Sequence, residues 1–161
     1  MRYIGLVLIV LICGLVGYQE KNKYVRQKEF LLYLQSFVDY LHSCISMYSS
    51  NLSEIINSYL INQKNKNAKY NAIFQKNNIN NLINTEIIDN FMFNKEYNLC
   101  VKTFLAEIGK NNTEFECKKI LDFKESLNSF ITITNEELKT KGELAFKLWL
   151  AVGLVIDIVI W

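Results

Sequence analysis

The chain has 161 residues, half of them hydrophobic, with 18 Lys and Arg against 16 Asp and Glu, a formal net charge of +2 and one His. That balance excludes a reader of nucleic acid, which needs a basic field against phosphates, and a single His leaves little material for metal or acid–base chemistry. Mean hydropathy is +0.06, high for a soluble protein, because the apolar excess is gathered at the two ends, so a bilayer has to be considered first. There is no Pro and only 6 Gly. Asn, Lys, Ile and Tyr recur throughout, a bias that suits coding DNA rich in A and T and makes the many Asn weak evidence for function.

Residues 3–18 form an apolar run broken only by Gly5, Gly14 and Gly17, preceded by Arg2 and followed by Lys21, Lys23, Arg26 and Lys28. At 1.5 Å per residue the run reaches roughly 24 Å, a little short of the ~30 Å hydrocarbon core, a gap that snorkelling flanks can close. No small-x-small cleavage site follows it, and Ile12 stands before Cys13 where a lipoprotein site needs a small residue. The segment 1–18 therefore reads as an uncleaved transmembrane anchor, a cleaved signal peptide being the rival. The cations that follow it place the next part of the chain in the cytosol.

Residues 19–146 read as a cytosolic helical domain. Its first part, 19–78, holds 8 basic and 4 acidic residues; 79–146 holds 8 basic and 11 acidic. The basic part suits anionic lipid headgroups and the acidic part could face a basic partner, although solvated helix faces give the same counts. Phe30, Leu34, Phe37, Leu41, Ile45 and Tyr48 step by three and four, the period of a helix with one buried face. One long helix from the first anchor to about Ser49 follows. Asn51 and Glu54 resemble a capping box opening a second helix with Leu52, Ile55, Ile56, Tyr59 and Leu60. A polar loop over 62–69 precedes two short helices, one through Tyr70, Ile73 and Phe74, the other over 79–83.

Another helical stretch begins at Thr85, and Leu99, Phe104, Leu105 and Ile108 give a stripe that stops at Gly109. Glycine one place past a helix end takes the left-handed conformation without steric cost. Asn112 or Thr113, with Glu116 in the first turn, starts the last long helix, whose stripe runs Cys117, Ile120, Leu121, Leu127, Phe130, Ile131 and Leu138. It leads into the apolar end, 147–161, read as a second transmembrane segment and preceded by Lys139, Lys141 and Lys147. Both anchors then have cations on the domain side, so the chain is a hairpin whose two tips cross outward. Asp157 is close enough to the end to reach the far interface; a lateral partner helix is the alternative. No stretch alternates with period two long enough for a sheet. The class is all-α, a compact bundle of five or six helices with a membrane anchor helix at each end.

No glycine-rich phosphate loop is present, so no nucleotide is used by a familiar route. His42 is alone, and Cys44 two residues away falls on another helix face, poor geometry for a nucleophile pair. Cys13, Cys44, Cys100 and Cys117 form no C-x-x-C pair and read as reduced structural thiols. Carboxylate pairs such as Glu136 and Glu137 read as exposed helix charges. The expectation is no catalytic residue, no cofactor and no metal.

Phe104, Leu105, Ile108, Gly109, Asn112, Glu116 and Ile120, with an anchor at each end of a chain of this length, resemble the stage III sporulation protein AB family. The family pattern is F-G-x-x-L-G-x-x-D-x-x-x-Q-x-x-x-I. This chain departs from it with Leu105 for Gly, Asn112 for Asp and Glu116 for Gln; Asn keeps the capping chemistry of Asp. The resemblance implies a non-catalytic platform in the secretion-like channel joining mother cell and forespore, in the membrane of a spore-forming bacterium on the mother-cell side. It implies a domain similar to that of the inner-membrane platform protein of type II secretion and type IV pilus machines. Its expected partners are a companion secretion-type ATPase (stage III sporulation protein AA-like), other channel membrane proteins, membrane lipid and further copies of the chain. Phe104, Gly109, Asn112 and Glu116 are expected to build a structural turn, and Glu107, Glu114, Glu116 and Asp122 to form the partner-binding face. The rival is a membrane-anchored helical adaptor outside sporulation.

Overall fold

The computed structural model describes residues 2–48, 52–62, 68–74, 84–110 and 112–160. In chain order these form α1 (Arg2–Tyr48), α2 (Leu52–Asn62), α3 (Ala68–Asn71), a 3-10 turn (Thr85–Asn90), α4 (Lys95–Glu107), α5 (Thr113–Glu137), a π-helical turn (Leu138–Gly142) and α6 (Glu143–Ile160). Among the described residues there is no strand, and the chain is all-helical. Without proline nothing removes a backbone donor inside α1 or α5, which is why both run so far. The Asn51 cap and the helix expected over 79–83 lie outside the described residues.

Two compact units divide the chain: Met1–Lys28 with Thr132–Trp161, and Glu29–Ile131. In the first, the start of α1 lies antiparallel to the end of α5 and to α6. Close approach is set by small residues. A Cβ on Gly17 would stand 3.0 Å from the Trp149 Cβ and 3.1 Å from the Phe146 Cα, and one on Gly153 would stand 3.1 Å from the Cys13 Cβ. Near the other end of the pair, the buried Gln27 donates from Nε2 to Thr134 Oγ1 at 3.1 Å, and Lys28 Nζ donates to Asn135 Oδ1 at 2.8 Å. The π turn hydrogen-bonds the Glu143 N–H to the Leu138 carbonyl, adding a residue to the turn and letting Gly142 sit against Tyr24.

Among the described residues no helix is long and apolar enough to cross a membrane, so the anchors expected over 1–18 and 147–161 are not found as full spans. The side chains of residues 1–4 and 6, which open the first apolar run, lie outside the described set. In α6 the apolar part begins only at Leu148, about 20 Å of helix, and it carries Asp157. That side chain is half-buried, and its Oδ1 is buried with no hydrogen-bond partner among the described residues. The outer surface of the pair is apolar, with Val7, Leu11, Leu15, Leu148, Leu154 and Val155 all more than half exposed.

The second unit is built on the later half of α1. Phe30, Leu31, Leu34, Phe37, Val38 and Leu41 are fully buried there, a wider stripe than the three-and-four spacing predicts, because α1 is packed from more than one side. Ile55, Ile56 and Tyr59 from α2, Tyr70, Ile73 and Phe74, Ile88 and Met92, and the inner faces of α4 and α5 complete one hydrophobic core. Each large side chain so buried contributes about 1.5–3 kcal/mol. Aromatic rings pack closely here: Phe37 and Tyr59 are 5.2 Å apart and meet edge to face, and Tyr33 lies 5.2 Å from Tyr70 at a tilt. The Tyr33 hydroxyl donates to Asn71 Oδ1 at 2.9 Å, and burial pushes its pKa well above the ordinary tyrosine range. Lys69 Nζ and the Tyr70 hydroxyl both donate to Glu29 Oε2, which ties α3 to α1 and holds the Glu29 carboxyl below its usual range.

Candidate functional site

The segment that carries the expected turn joins α4 to α5. Asn94 opens α4, its Oδ1 accepting from the Glu96 and Tyr97 N–H groups at 3.0 and 3.4 Å. Tyr97, Val101, Phe104, Leu105 and Ile108 form the buried stripe. The sequence stripe placed Leu99 inside; it is instead 68% exposed, because the helix turns its 97, 101, 104, 108 face inward and position 99 falls on the opposite side. Ile108 ends α4 in an extended conformation, and Gly109 follows with φ +82°. The positive φ calls for glycine, and a Cβ there would also stand 2.8 Å from Leu52 Cδ2, so the end of that side chain would have to move aside. Asn112 then caps α5: its Oδ1 accepts from the Phe115 N–H at 3.0 Å, and its carbonyl from the Glu116 N–H at 3.0 Å.

Beyond the turn the two helices run antiparallel and lock through aromatic rings. Phe104 and Phe123 stack with centroids 3.7 Å apart and planes 7° from parallel, and Tyr97 stacks on Phe130 at 4.1 Å. Phe123 is buried where the sequence stripe favoured Leu121, which is half exposed. Lys119 Nζ pairs with Glu107, which holds the Glu107 carboxyl below the ordinary range.

Of the acidic residues expected to form one partner face, Glu114 and Asp122 are exposed and Glu107 is exposed but ion-paired. Glu116 is 3% exposed, which removes it from any such surface. It stands in the first turn of α5, and the same helical period that makes α5 amphipathic turns it inward. Sequence reasoning missed what lies on the outer side of the hairpin, a groove of about 490 Å³ between α4 and α5 lined by Glu96, Leu99, Cys100, Phe104, Asp122 and Phe123 among others. Burial, with the nearby Glu96 charge, pushes the Cys100 thiol up. All four cysteines are unbridged, and among the described residues no group of three His, Cys, Asp or Glu gathers as a metal site would require.

The stage III sporulation protein AB family matches residues 2–161, the whole of the helical chain including this turn. The chain belongs to that family. Neither a curated protein nor a solved structure matches it.

Proposed function

We propose that this protein is a non-catalytic membrane platform of a sporulation-specific, secretion-like channel between mother cell and forespore, and that residues 29–131 dock a companion secretion-type ATPase. Membership of the stage III sporulation family supports the setting. The observation that carries the membrane part is the helix pair of the first unit, with large apolar side chains on its outer surface and glycines at its seam. An apolar surface of this kind is unfavourable in water and is relieved in contact with lipid. Close packing through small residues is how helices associate where no hydrophobic drive acts between them. The short apolar ends are accommodated by Lys21, Lys23, Arg26 and Lys147 reaching to the headgroups. Those same cations keep residues 29–131 in the cytosol.

Docking is assigned to the acidic surface of α4 and α5, now Glu107, Glu114 and Asp122 without Glu116. A carboxylate surface held at a membrane captures a basic partner with an on-rate that falls as salt rises. Titration of the purified ATPase against the full chain in lipid nanodiscs tests this. Binding that weakens with salt and with reversal of the three charges is expected. Undiminished binding after reversal removes this surface, and no binding at any salt returns the protein to a helical membrane adaptor.

A further inference from the structure

We infer that the groove between α4 and α5 is a seat for a basic amphipathic helix of a partner protein. The core of the second unit is complete without it, yet the outer side of the α4–α5 hairpin remains open over about 490 Å³. Its floor is apolar, made by the stacked Phe104 and Phe123 rings with Cys100 beside them. Leu99 stands at its edge, 68% exposed. The lining runs from Glu96 to Glu107 along α4, about 16 Å or three helical turns, the length over which a helix offers anchors at i, i+4 and i+7.

Charge selects the occupant. Three carboxylates, Glu96, Glu107 and Asp122, and one cation, Lys119, line the groove. Lys119 is already neutralised by Glu107. Glu96 and Asp122 are left with no cation partner among the described residues, on α4 and α5 respectively, so an apolar floor lies between acidic edges. Lys or Arg flanking an apolar stripe meets both features, whereas an acidic helix would bring like charges together. The inference deepens the docking proposal and rests on it for which partner carries the helix, but the groove is testable without that partner.

Cys100 reports occupancy from inside the groove. With Cys13→Ala, Cys44→Ser and Cys117→Ser in the full chain in zwitterionic nanodiscs, maleimide labels the remaining thiol, under mildly alkaline conditions because burial raises its pKa. A synthetic Leu/Lys amphipathic peptide at about ten times its Kd should slow labelling about tenfold. A Leu/Glu peptide of the same pattern should not, and salt should relieve the protection. The readout is local, so peptide taken up by lipid does not register. Glu96→Lys with Asp122→Lys should exchange the preference, protecting with the Leu/Glu peptide instead, each variant being compared with its own rate without peptide. Equal protection by both peptides, no protection by either, or protection that grows with protein concentration alone, which marks a second copy in the groove, would each overturn the inference. Failure of the ATPase titration with intact protection by the Leu/Lys peptide overturns only the identity of the partner.

Discussion

Replacement of Gly109 separates two physical costs that coincide at one backbone position. At φ +82° any Cβ is strained by about 1–2 kcal/mol. The same Cβ would lie 2.8 Å from Leu52 Cδ2 and 3.4 Å from its Cβ, so Leu52, packed against the core, must shift as well. Overpacking of this kind adds about 1 kcal/mol or more. Gly109→Ala should therefore cost about 2–3 kcal/mol, which lowers the melting temperature of a domain of roughly 100 residues by about 10 °C or more. Gly109→Val should cost more still, and Gly109→Asn less than Ala, since Asn tolerates the left-handed region. Guanidinium unfolding of the full chain in non-ionic detergent, followed by circular dichroism, measures each. Against a Leu52→Ala background the 2.8 Å approach is gone and only an ordinary Cβ contact and the backbone strain remain, so the Gly109→Ala cost should fall by about 1 kcal/mol. An unchanged cost there would refute the close-approach argument, and a Gly109→Val chain as stable as the wild type would refute both.

Gly153→Cys should form a disulfide with the native Cys13 under mild oxidation, because the Cβ positions are 3.1 Å apart and need only a small separation to reach bonding geometry. A proteolytic fragment pair held together without reductant is the readout, and two separate fragments would refute the antiparallel register. Thr134→Val leaves the buried Gln27 Nε2 without its acceptor and should cost about 1–3 kcal/mol, while Gln27→Leu with Thr134→Val should restore most of the loss. Glu29, Asp89 and Glu107 are held below their ordinary values by Lys69, Lys102 and Lys119. A lowered folded-state pKa gives stability that is present above the unfolded value and is lost as pH falls through the folded one, so urea midpoints, free of ionic screening, should drop below about pH 4. Glu29→Gln, Asp89→Asn and Glu107→Gln together should flatten that fall, and an unaltered slope would show that these pairs are not its source. A reporter inserted near Asn65 should be active in the cytosol and one after Trp161 outside it; an extracytoplasmic signal from Asn65 would sink the hairpin topology.

Periodicity and local chemistry carried much of the fold. The long α1 followed from an unbroken run without proline, and the end of α4 and start of α5 from Gly109 and Asn112, because the φ of one residue and a side chain bonding its own backbone are local properties. Other Asn, set aside as compositional bias, prove to be working parts: Asn84 and Asn94 cap helices as Asn112 does, and Asn71 and Asn128 accept side-chain hydrogen bonds across the core unit. A cap is legible only once the helix it opens is located, which is why composition concealed it.

What stayed hidden in the sequence depends on neighbours distant along the chain. Leu99 and Leu121 are as hydrophobic as Leu105 and Leu127, and only the packing direction of α4 on α5 decides that the first two face outward and that Phe123 goes in. Glu116 looked like a surface charge because ionisation is usual at the surface, yet the period of α5 turned it inward. Likewise the apolar ends announced a hydrophobic environment from sequence alone, whereas the pairing of residue 17 with 146 and 149, and of 13 with 153, required the two ends to meet. Hydropathy and capping act within a few residues and can be read along the chain; burial of a particular face is a property of two surfaces, and exists only when the fold has brought the second one into place.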